Sequence, residues 1–180
     1  MRLMLWPRLA RALLGKPLTD APPPVPQHTV VALGERLAAA ARVRLGRSLA
    51  IREVDSGSCN GCELEVNALQ NVAYDLERFG LRFVASPRHA DVLLVTGPAC
   101  RNMTEALQRA LDCTPDPKWI VAVGDCAVDG GVFKGSYAIE GGVGAVLPVD
   151  LLIPGCPPSP TQLLEGLLAL LEAEAAPARR

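Results

Sequence analysis

The chain of 180 residues has the length of one ordinary domain with appendages, and 49% of its residues are hydrophobic against 21% that are charged. This balance allows a buried core and argues against wholesale disorder. No apolar run approaches the ~20 residues of a membrane-spanning helix, and the net charge is −1, so we expect neither an integral membrane protein nor a nucleic-acid-binding protein recognised by bulk charge.

The first 49 residues differ in charge from the rest of the chain. They carry a net charge of +6, whereas the remaining 131 residues carry −7. Near the start, Leu3, Trp6 and Leu9 could share one face of a short helix, suited to a membrane surface, to a partner's groove or to packing on its own domain. Arg8 and Arg11 interrupt the apolar run, so no export signal is predicted.

Prolines follow this segment, and proline stiffens a linker because it fixes φ and removes a donor. We predict three parts of the chain. Residues 1–48 form a basic N-terminal arm with a proline-rich linker and a short helix, residues 49–175 form an α/β domain that contains all six cysteines, and residues 176–180 form a tail.

From residue 49 onward, short β-branched runs alternate with longer helical patterns, which is typical of a parallel sheet covered by helices. The five predicted strands are Leu49–Val54, Leu81–Ala85, Asp91–Thr96, Trp119–Val123 and Val149–Ile153. The predicted helices span Cys62–Phe79 and Asn102–Leu111, and a last helix begins after Ser159, where a proline and Gln162 complete a helix-start signal. This order predicts a flavodoxin-like open parallel sheet with helices on both faces.

Most of the cysteines come shortly after predicted strands. These are Cys59, Cys62, Cys100, Cys126 and Cys156. Because the carboxyl ends of parallel strands share one edge of a sheet, five thiols are expected at that edge, where ligands gather in such folds. Cys113 lies at the far end of a predicted helix, near the opposite edge of the sheet, so we do not expect it to join the other five thiols.

Several uses of these thiols compete. Disulfides are disfavoured because no export signal is predicted and the chain is long enough for a core. Structural zinc sites normally show two close ligand pairs, whereas here one pair, Cys59 and Cys62, precedes distant single cysteines. A thioredoxin-like redox pair would leave Cys126 and Cys156 unexplained. An iron-sulfur cluster tolerates scattered thiolates, so the spacing favours it and keeps zinc as a minor alternative.

Three motifs carry a family resemblance. They are DSGSCNGCELE at residues 55–65, GDCAVDGG at residues 124–131 and IPGCPPSP at residues 153–160. In this order they resemble the family of the 20 kDa subunit of respiratory complex I and the nickel-iron hydrogenase small subunits. The resemblance covers about residues 50–175. It implies one 4Fe-4S cluster at the carboxyl edge of the strands, held by Cys59, Cys62, Cys126 and Cys156.

The spacing of the first two cysteines distinguishes branches of that family. Complex I proteins place these ligands side by side, whereas Asn60 and Gly61 separate them here. The motif is similar to that of membrane-bound energy-converting hydrogenases of the hydrogenase 4 and formate hydrogenlyase types. The resemblance implies three kinds of partner: a large subunit (nickel-iron or 49 kDa-like), a ferredoxin-like iron-sulfur subunit and membrane subunits. Nucleic acid is not an expected partner. The implied location is peripheral, at the cytoplasmic face of the inner membrane.

The resemblance implies an electron-transferring subunit with no catalytic residue of its own, inactive alone. One alternative is a protein like the corresponding small subunit of NADH-quinone oxidoreductase, which passes electrons to quinone. Another is a non-redox structural metal protein with the same four cysteine ligands. Asp125 and Glu63 could lower the cluster potential by charge, although Glu63 is first of all a helix-start carboxylate. Glu65 is expected in an interface ion pair, with proton transfer at the partner interface as the alternative, and Cys100 is expected as a small buried apolar residue.

Overall fold

The computed structural model describes residues 27–173. The helix predicted near the start of the chain, the proline-rich linker and the predicted tail lie outside the described residues. Within residues 27–173 no helix combines the length and the apolar character that crossing a bilayer requires.

The centre of the fold is a sheet of five parallel strands. These are β1 (Ala50–Asp55), β2 (Arg82–Phe83), β3 (Val92–Thr96), β5 (Trp119–Val123) and β7 (Leu151–Ile153), and their spatial order is β2-β1-β3-β5-β7. This is the strand order of flavodoxin-like folds, so the predicted fold class is confirmed. Two short strands that the sequence did not indicate, β4 (Ala99–Cys100) and β6 (Ile139–Gly141), form a separate antiparallel pair.

Helices cover both faces of the sheet. They are α1 (Gln27–Leu45), α2 (Gly61–Ala68), α3 (Thr104–Cys113), α4 (Asp125–Asp129) and α5 (Pro160–Glu172). Side chains of β3 alternate between two cores, as the pleat of a strand requires. Leu94 packs with residues of α1, α2 and α5, whereas Leu93 packs with residues of α3 and α4. All five residues of β3 are buried, as expected for a central strand with helices on both sides.

Helix α1 packs against α5 and shares its core. Leu37 is fully buried there, Arg36 forms an ion pair of 2.8 Å with Glu172, and Arg44 Nη1 donates to the carbonyls of Leu170 and Leu171 near the end of α5. Arg44 therefore satisfies carbonyl groups that the end of a helix leaves without partners. The division of the chain at residue 48 into independent parts stays a prediction.

The single helix predicted over Cys62–Phe79 is wrong. Helix α2 ends at Ala68, and a 3₁₀ turn follows at Leu76–Phe79. Between them, Oδ1 of Asn71 accepts hydrogen bonds from the N–H groups of Ala73 and Tyr74, which competes with helical pairing. Val72, which falls within the predicted helix, is fully exposed.

The start of α5 agrees with its sequence signal. Ser159 Oγ accepts from the N–H of Gln162, and the Gln162 side chain accepts from the N–H of Ser159, which together form a capping box. Strand β5 has the predicted bounds, and the other strands differ from prediction at one or both ends.

Asp91 joins three strands at their amino ends. Its N–H donates to Ala50 O (2.8 Å), its carbonyl accepts from Trp119 N–H (2.9 Å), and its carboxylate accepts from Ala50 N–H (2.9 Å) and from both terminal nitrogens of Arg47. The Asp91 side chain is 2% exposed, whereas that of Arg47 is 54% exposed. The carboxylate is therefore buried with both of its oxygens hydrogen-bonded.

Replacing Asp91 by alanine is expected to lower the free energy of unfolding by about 2 kcal/mol or more, because it strands the buried Ala50 N–H and removes charge-assisted bonds. Urea unfolding would measure the change. Glu105→Ala is the control, because Glu105 forms an exposed ion pair with Arg109, worth about 0.5 kcal/mol. Equal losses in the two variants would contradict the role of Asp91.

Candidate iron-sulfur site

The four cysteines implied as ligands lie on loops that leave the carboxyl ends of β1, β5 and β7. Cys59 follows β1 and is exposed, and Cys62 is half-buried in the first turn of α2. Cys126 is buried in α4, directly after β5. Cys156 follows β7 and is exposed. The parallel sheet thus brings residues almost one hundred positions apart to one edge.

The loop that carries Cys59 is held by the side chain of Asp55. Asp55 Oδ1 accepts from the N–H groups of Gly57 and Ser58, both at 2.7 Å, and Ser58 Oγ accepts from the N–H of Asn60 at 3.0 Å. These local bonds turn the chain from the end of β1 into α2. The cysteine between Ser58 and Asn60 is therefore fixed on a short, ordered turn.

The loops that carry Cys126 and Cys156 are bonded to each other. Gly124 N–H donates to Ile153 O, and Asp125 N–H donates to Gly155 O, both at 2.8 Å. In the opposite direction, Gly155 N–H donates to Asp125 Oδ1 at 2.8 Å. The spacing of these two loops is thus set by three hydrogen bonds next to the cysteines.

Glycines lie directly against three of the four sulfurs. A Cβ atom on Gly124 would lie 2.5 Å from Cys62 Sγ, one on Gly131 would lie 2.9 Å from Cys126 Sγ, and one on Gly61 would lie 3.5 Å from Cys59 Sγ. Gly124 and Gly131 also have positive φ angles, of 89° and 48°. At these two positions the backbone conformation and the space next to sulfur both favour glycine.

The four thiols share one electrostatic environment. Burial, together with the negative charges of Glu63, Cys126, Cys59 and Cys156, raises the pKa of Cys62 to about 12. Burial also raises the pKa of Cys126, whereas a hydrogen bond from the backbone of Val132 lowers it. The free thiols of Cys62 and Cys126 therefore favour the protonated form, and a cationic group among them would reverse this preference.

Of the other two cysteines, Cys100 lies at the same sheet edge and Cys113 does not. Cys100, in β4, is half-buried, and its Sγ occupies the space where a side chain on Gly57 would be. Cys113 is exposed at the end of α3. Neither thiol contributes to the raised pKa values of Cys62 and Cys126.

The donor set consists of four thiols, which are the ligands that iron-sulfur clusters take. In residues 27–173, no three His, Cys, Asp or Glu side chains meet at a point that would hold a single metal ion. A 4Fe-4S cluster held by four cysteines places each thiolate on a different iron, so the ligands surround the group instead of converging on one point. Four cysteines at one sheet edge, with glycines against three sulfurs, are compatible with such a group.

A buried carboxyl group, that of Glu63, lies beside Cys62, and a half-buried one, that of Glu53, lies near Glu63; the sequence did not reveal the burial of either group. Glu63, in the first turn of α2, is 8% exposed, and within the described part of the chain neither of its oxygens has a hydrogen-bond partner. Burial raises the pKa of Glu53 to about 7, with further contributions from Glu63 and Asp55, while Arg52 lowers it. The position of Glu63 at the start of a helix therefore does not account for the burial of its carboxyl group.

A family model described as NADH ubiquinone oxidoreductase, 20 kDa subunit, matches residues 59–170. The matched range begins at Cys59 and contains the loops of Cys62, Cys126 and Cys156. It covers more than half of the chain.

Individual proteins match over similar ranges. The probable membrane-bound hydrogenase subunit mbhJ of Pyrococcus furiosus is 45% identical over 71% of this chain and 77% of its own length. Formate hydrogenlyase subunit 7 of Escherichia coli is 46% identical over 72% of this chain, which spans 52% of that relative. A solved structure of the membrane-bound sulfane sulfur reductase, an archaeal respiratory membrane complex, matches with a TM-score of 0.63 and 34% identity, over 77% of this chain and 75% of that one.

Replacing Glu53 by glutamine is expected to remove a pH-dependent loss of stability. The unfolded chain releases the Glu53 proton near the ordinary pKa of 4.5, whereas the folded chain holds it to about 7. The stabilising contribution is therefore present at low pH and is lost as the pH rises through this range. Urea unfolding at about pH 5 and about pH 8 should show Glu53→Gln gaining stability over the wild type at the higher pH. An equal difference at both pH values would contradict this assignment.

Proposed function

The chain belongs to the family of the 20 kDa subunit of NADH ubiquinone oxidoreductase, and we propose that it is an electron-transfer subunit with one 4Fe-4S cluster. The membership confirms the resemblance that the three motifs indicated. Members of this family are subunits of multi-subunit respiratory and hydrogenase complexes. We propose that the complex of this chain is a membrane-associated, hydrogenase-like oxidoreductase related to complex I.

The observation that carries the proposal is the arrangement of the four thiols. Cys59, Cys62, Cys126 and Cys156 would hold the cluster, because they lie on adjacent loops at one sheet edge and share one electrostatic environment. When bound, such a cluster supplies reversible one-electron transfer. In this proposal the bond-making chemistry belongs to a partner.

Residues of the chain would set the reduction potential of the cluster. The backbone hydrogen bond from Val132 to Cys126 withdraws electron density from that sulfur, which favours the reduced state. The buried carboxyl group of Glu63, next to Cys62, acts in the opposite direction when ionised. The balance of these two contributions would tune the potential from within this protein.

The surface next to Cys62 and Cys126 carries exposed apolar side chains. Val132 and Tyr137, in the segment after α4, are 80% and 86% exposed, and Leu64, two residues after Cys62, is 61% exposed. We propose that a large subunit, nickel-iron or 49 kDa-like, covers this surface, because apolar side chains around a binding edge mark interaction sites. A ferredoxin-like iron-sulfur subunit and membrane subunits would complete the complex, at the cytoplasmic face of the inner membrane.

Hydrogenase-type chemistry is favoured by two relatives above 40% identity, one named as a hydrogenase subunit and the other as a formate hydrogenlyase subunit. The description of the matching family favours the second candidate, the role of the corresponding small subunit in NADH-quinone oxidoreductase. Purification of the native complex distinguishes them. Hydrogen evolution with a reduced low-potential dye supports the first candidate, whereas quinone reduction without hydrogen chemistry supports the second.

The cluster itself is tested on full-length protein purified without oxygen. We expect visible absorption that dithionite bleaches, with equal amounts of iron and acid-labile sulfide. A colourless protein loaded with zinc would instead support a non-redox structural metal protein, and would overturn the proposal.

Serine substitutions are expected to separate ligands from the other cysteines. Cys126→Ser or Cys156→Ser should abolish the iron-sulfur absorption and the electron paramagnetic resonance signal, because each removes one of four thiolate ligands. Cys113→Ser is the control and should keep both signals, since Cys113 lies exposed at the end of α3. Loss of the cluster in the Cys113 variant would contradict the proposed ligand set.

The close approach of Gly124 to Cys62 gives a second prediction. Gly124→Ala is expected to reduce iron loading severalfold, because its methyl group would lie 2.5 Å from Cys62 Sγ. Gly135→Ala is the matched control: its φ of 82° resembles the 89° of Gly124, but nothing lies within 4 Å of its Cβ position. Iron content per folded chain would be measured. Equal loss in both variants would attribute the effect to backbone strain alone.

A further inference from the structure

Asp125 and Gly155 are joined by two hydrogen bonds that close a ring. The Asp125 N–H donates to the Gly155 carbonyl, and the Gly155 N–H donates to Asp125 Oδ1, each at 2.8 Å. Asp125 directly precedes Cys126, and Gly155 directly precedes Cys156. One residue therefore connects the backbones of the loops that carry two cysteines.

The Cys156 loop has few N–H groups with which to form other hydrogen bonds. Four of its residues are prolines, which have no N–H group: Pro154, Pro157, Pro158 and Pro160. The N–H groups in this stretch belong to Gly155, Cys156 and Ser159. That of Ser159 donates to the Gln162 side chain of α5, and that of Gly155 donates to Asp125.

The same ring occurs at the opposite end of the same strand pair. Asp150 N–H donates to Ile120 O at 2.8 Å, and Ile120 N–H donates to Asp150 Oδ2 at 2.9 Å, where the chain enters β7. Strands β5 and β7 are thus joined by an aspartate at both ends. The Asp150 ring lies at the amino ends of the strands, whereas the Asp125 ring lies among the cysteines.

We propose that Asp125 is a positioning residue for the cluster: its carboxylate fixes the Cys156 loop relative to Cys126, and so fixes the separation of two ligand sulfurs. The proposal rests on the proposed function, since it concerns two of the proposed ligands. Geometry, and not the negative charge of Asp125, is the property that matters. A side chain that is shorter, or whose acceptor oxygen is displaced, would remove one hydrogen bond between the Cys156 loop and the loop that follows β5.

Two substitutions separate geometry from charge. Asp125→Asn keeps an acceptor oxygen at the same distance along the side chain and removes the charge, whereas Asp125→Glu keeps the charge and moves the oxygens by one methylene. Full-length protein, purified without oxygen, would be mixed with an iron chelator, and the loss of visible absorption would be followed in time. The potential and the electron paramagnetic resonance line shape of each variant provide further readouts.

A positioning role predicts that Asp125→Glu and Asp125→Ala lose the cluster about tenfold faster than the wild type or more, while Asp125→Asn stays within about threefold. Asp150→Ala is the matched control, because it removes the equivalent ring away from the cysteines. It should lower stability to urea without accelerating cluster loss. If Asp125→Ala does not fold, the comparison of the Asn and Glu variants decides.

Two results would overturn the proposal. Wild-type rates in all Asp125 variants would show that the ring does not hold the Cys156 loop. A wild-type rate in Asp125→Glu, with fast loss in Asp125→Asn, would assign the effect to charge. Failure of the proposed function looks different, since the wild-type protein itself would then contain no iron and sulfide.

Discussion

The hydrogen bonds of Asp91 set the geometry on which the rest of the domain depends. This buried residue bonds to Ala50 and Trp119 through its backbone and to Ala50 and Arg47 through its carboxylate. The bonds align the amino ends of β1, β3 and β5, and the parallel register that follows aligns their carboxyl ends. Because the loops of Cys59, Cys62 and Cys126 begin at the carboxyl ends of β1 and β5, an interaction at one edge of the sheet helps to place three of the thiols at the other.

Opposite charges within the chain explain why its net charge is close to zero. Arginines of the basic first part meet acceptors of the acidic body: Arg36 pairs with Glu172, Arg47 pairs with Asp91, and Arg44 donates to carbonyls at the end of α5 while its guanidinium stacks on Trp119. The Arg36 pair is exposed and contributes little, whereas the Arg47 pair meets a buried carboxylate. The basic segment that the structure describes is therefore a packed part of the fold.

Local sequence patterns predicted the strands and helices of this protein better than the contacts between residues distant in sequence. Strand β5 and the start of α5 were predictable because a buried β-branched run and a capping box are signals within a few residues. The break after α2 was missed because the side-chain bonds of Asn71 compete with a favourable helical pattern. The burial of Glu63 and the ring formed by Asp125 depend on residues distant in sequence, which no single-sequence pattern reports. The motifs indicated which cysteines are candidate ligands, and the parallel sheet explains why these cysteines lie close together.

The four cysteines differ in exposure, and this difference gives the proposed site a direction. Cys126 is buried and Cys62 half-buried on the side of the sheet, whereas Cys59 and Cys156 face outward. A redox group held between them would be insulated by the packed sheet on one side and open on the other. Electrons would therefore enter and leave the group through the outward side of the domain and would not cross the sheet. Neighbouring redox centres would have to lie beyond Cys59 and Cys156.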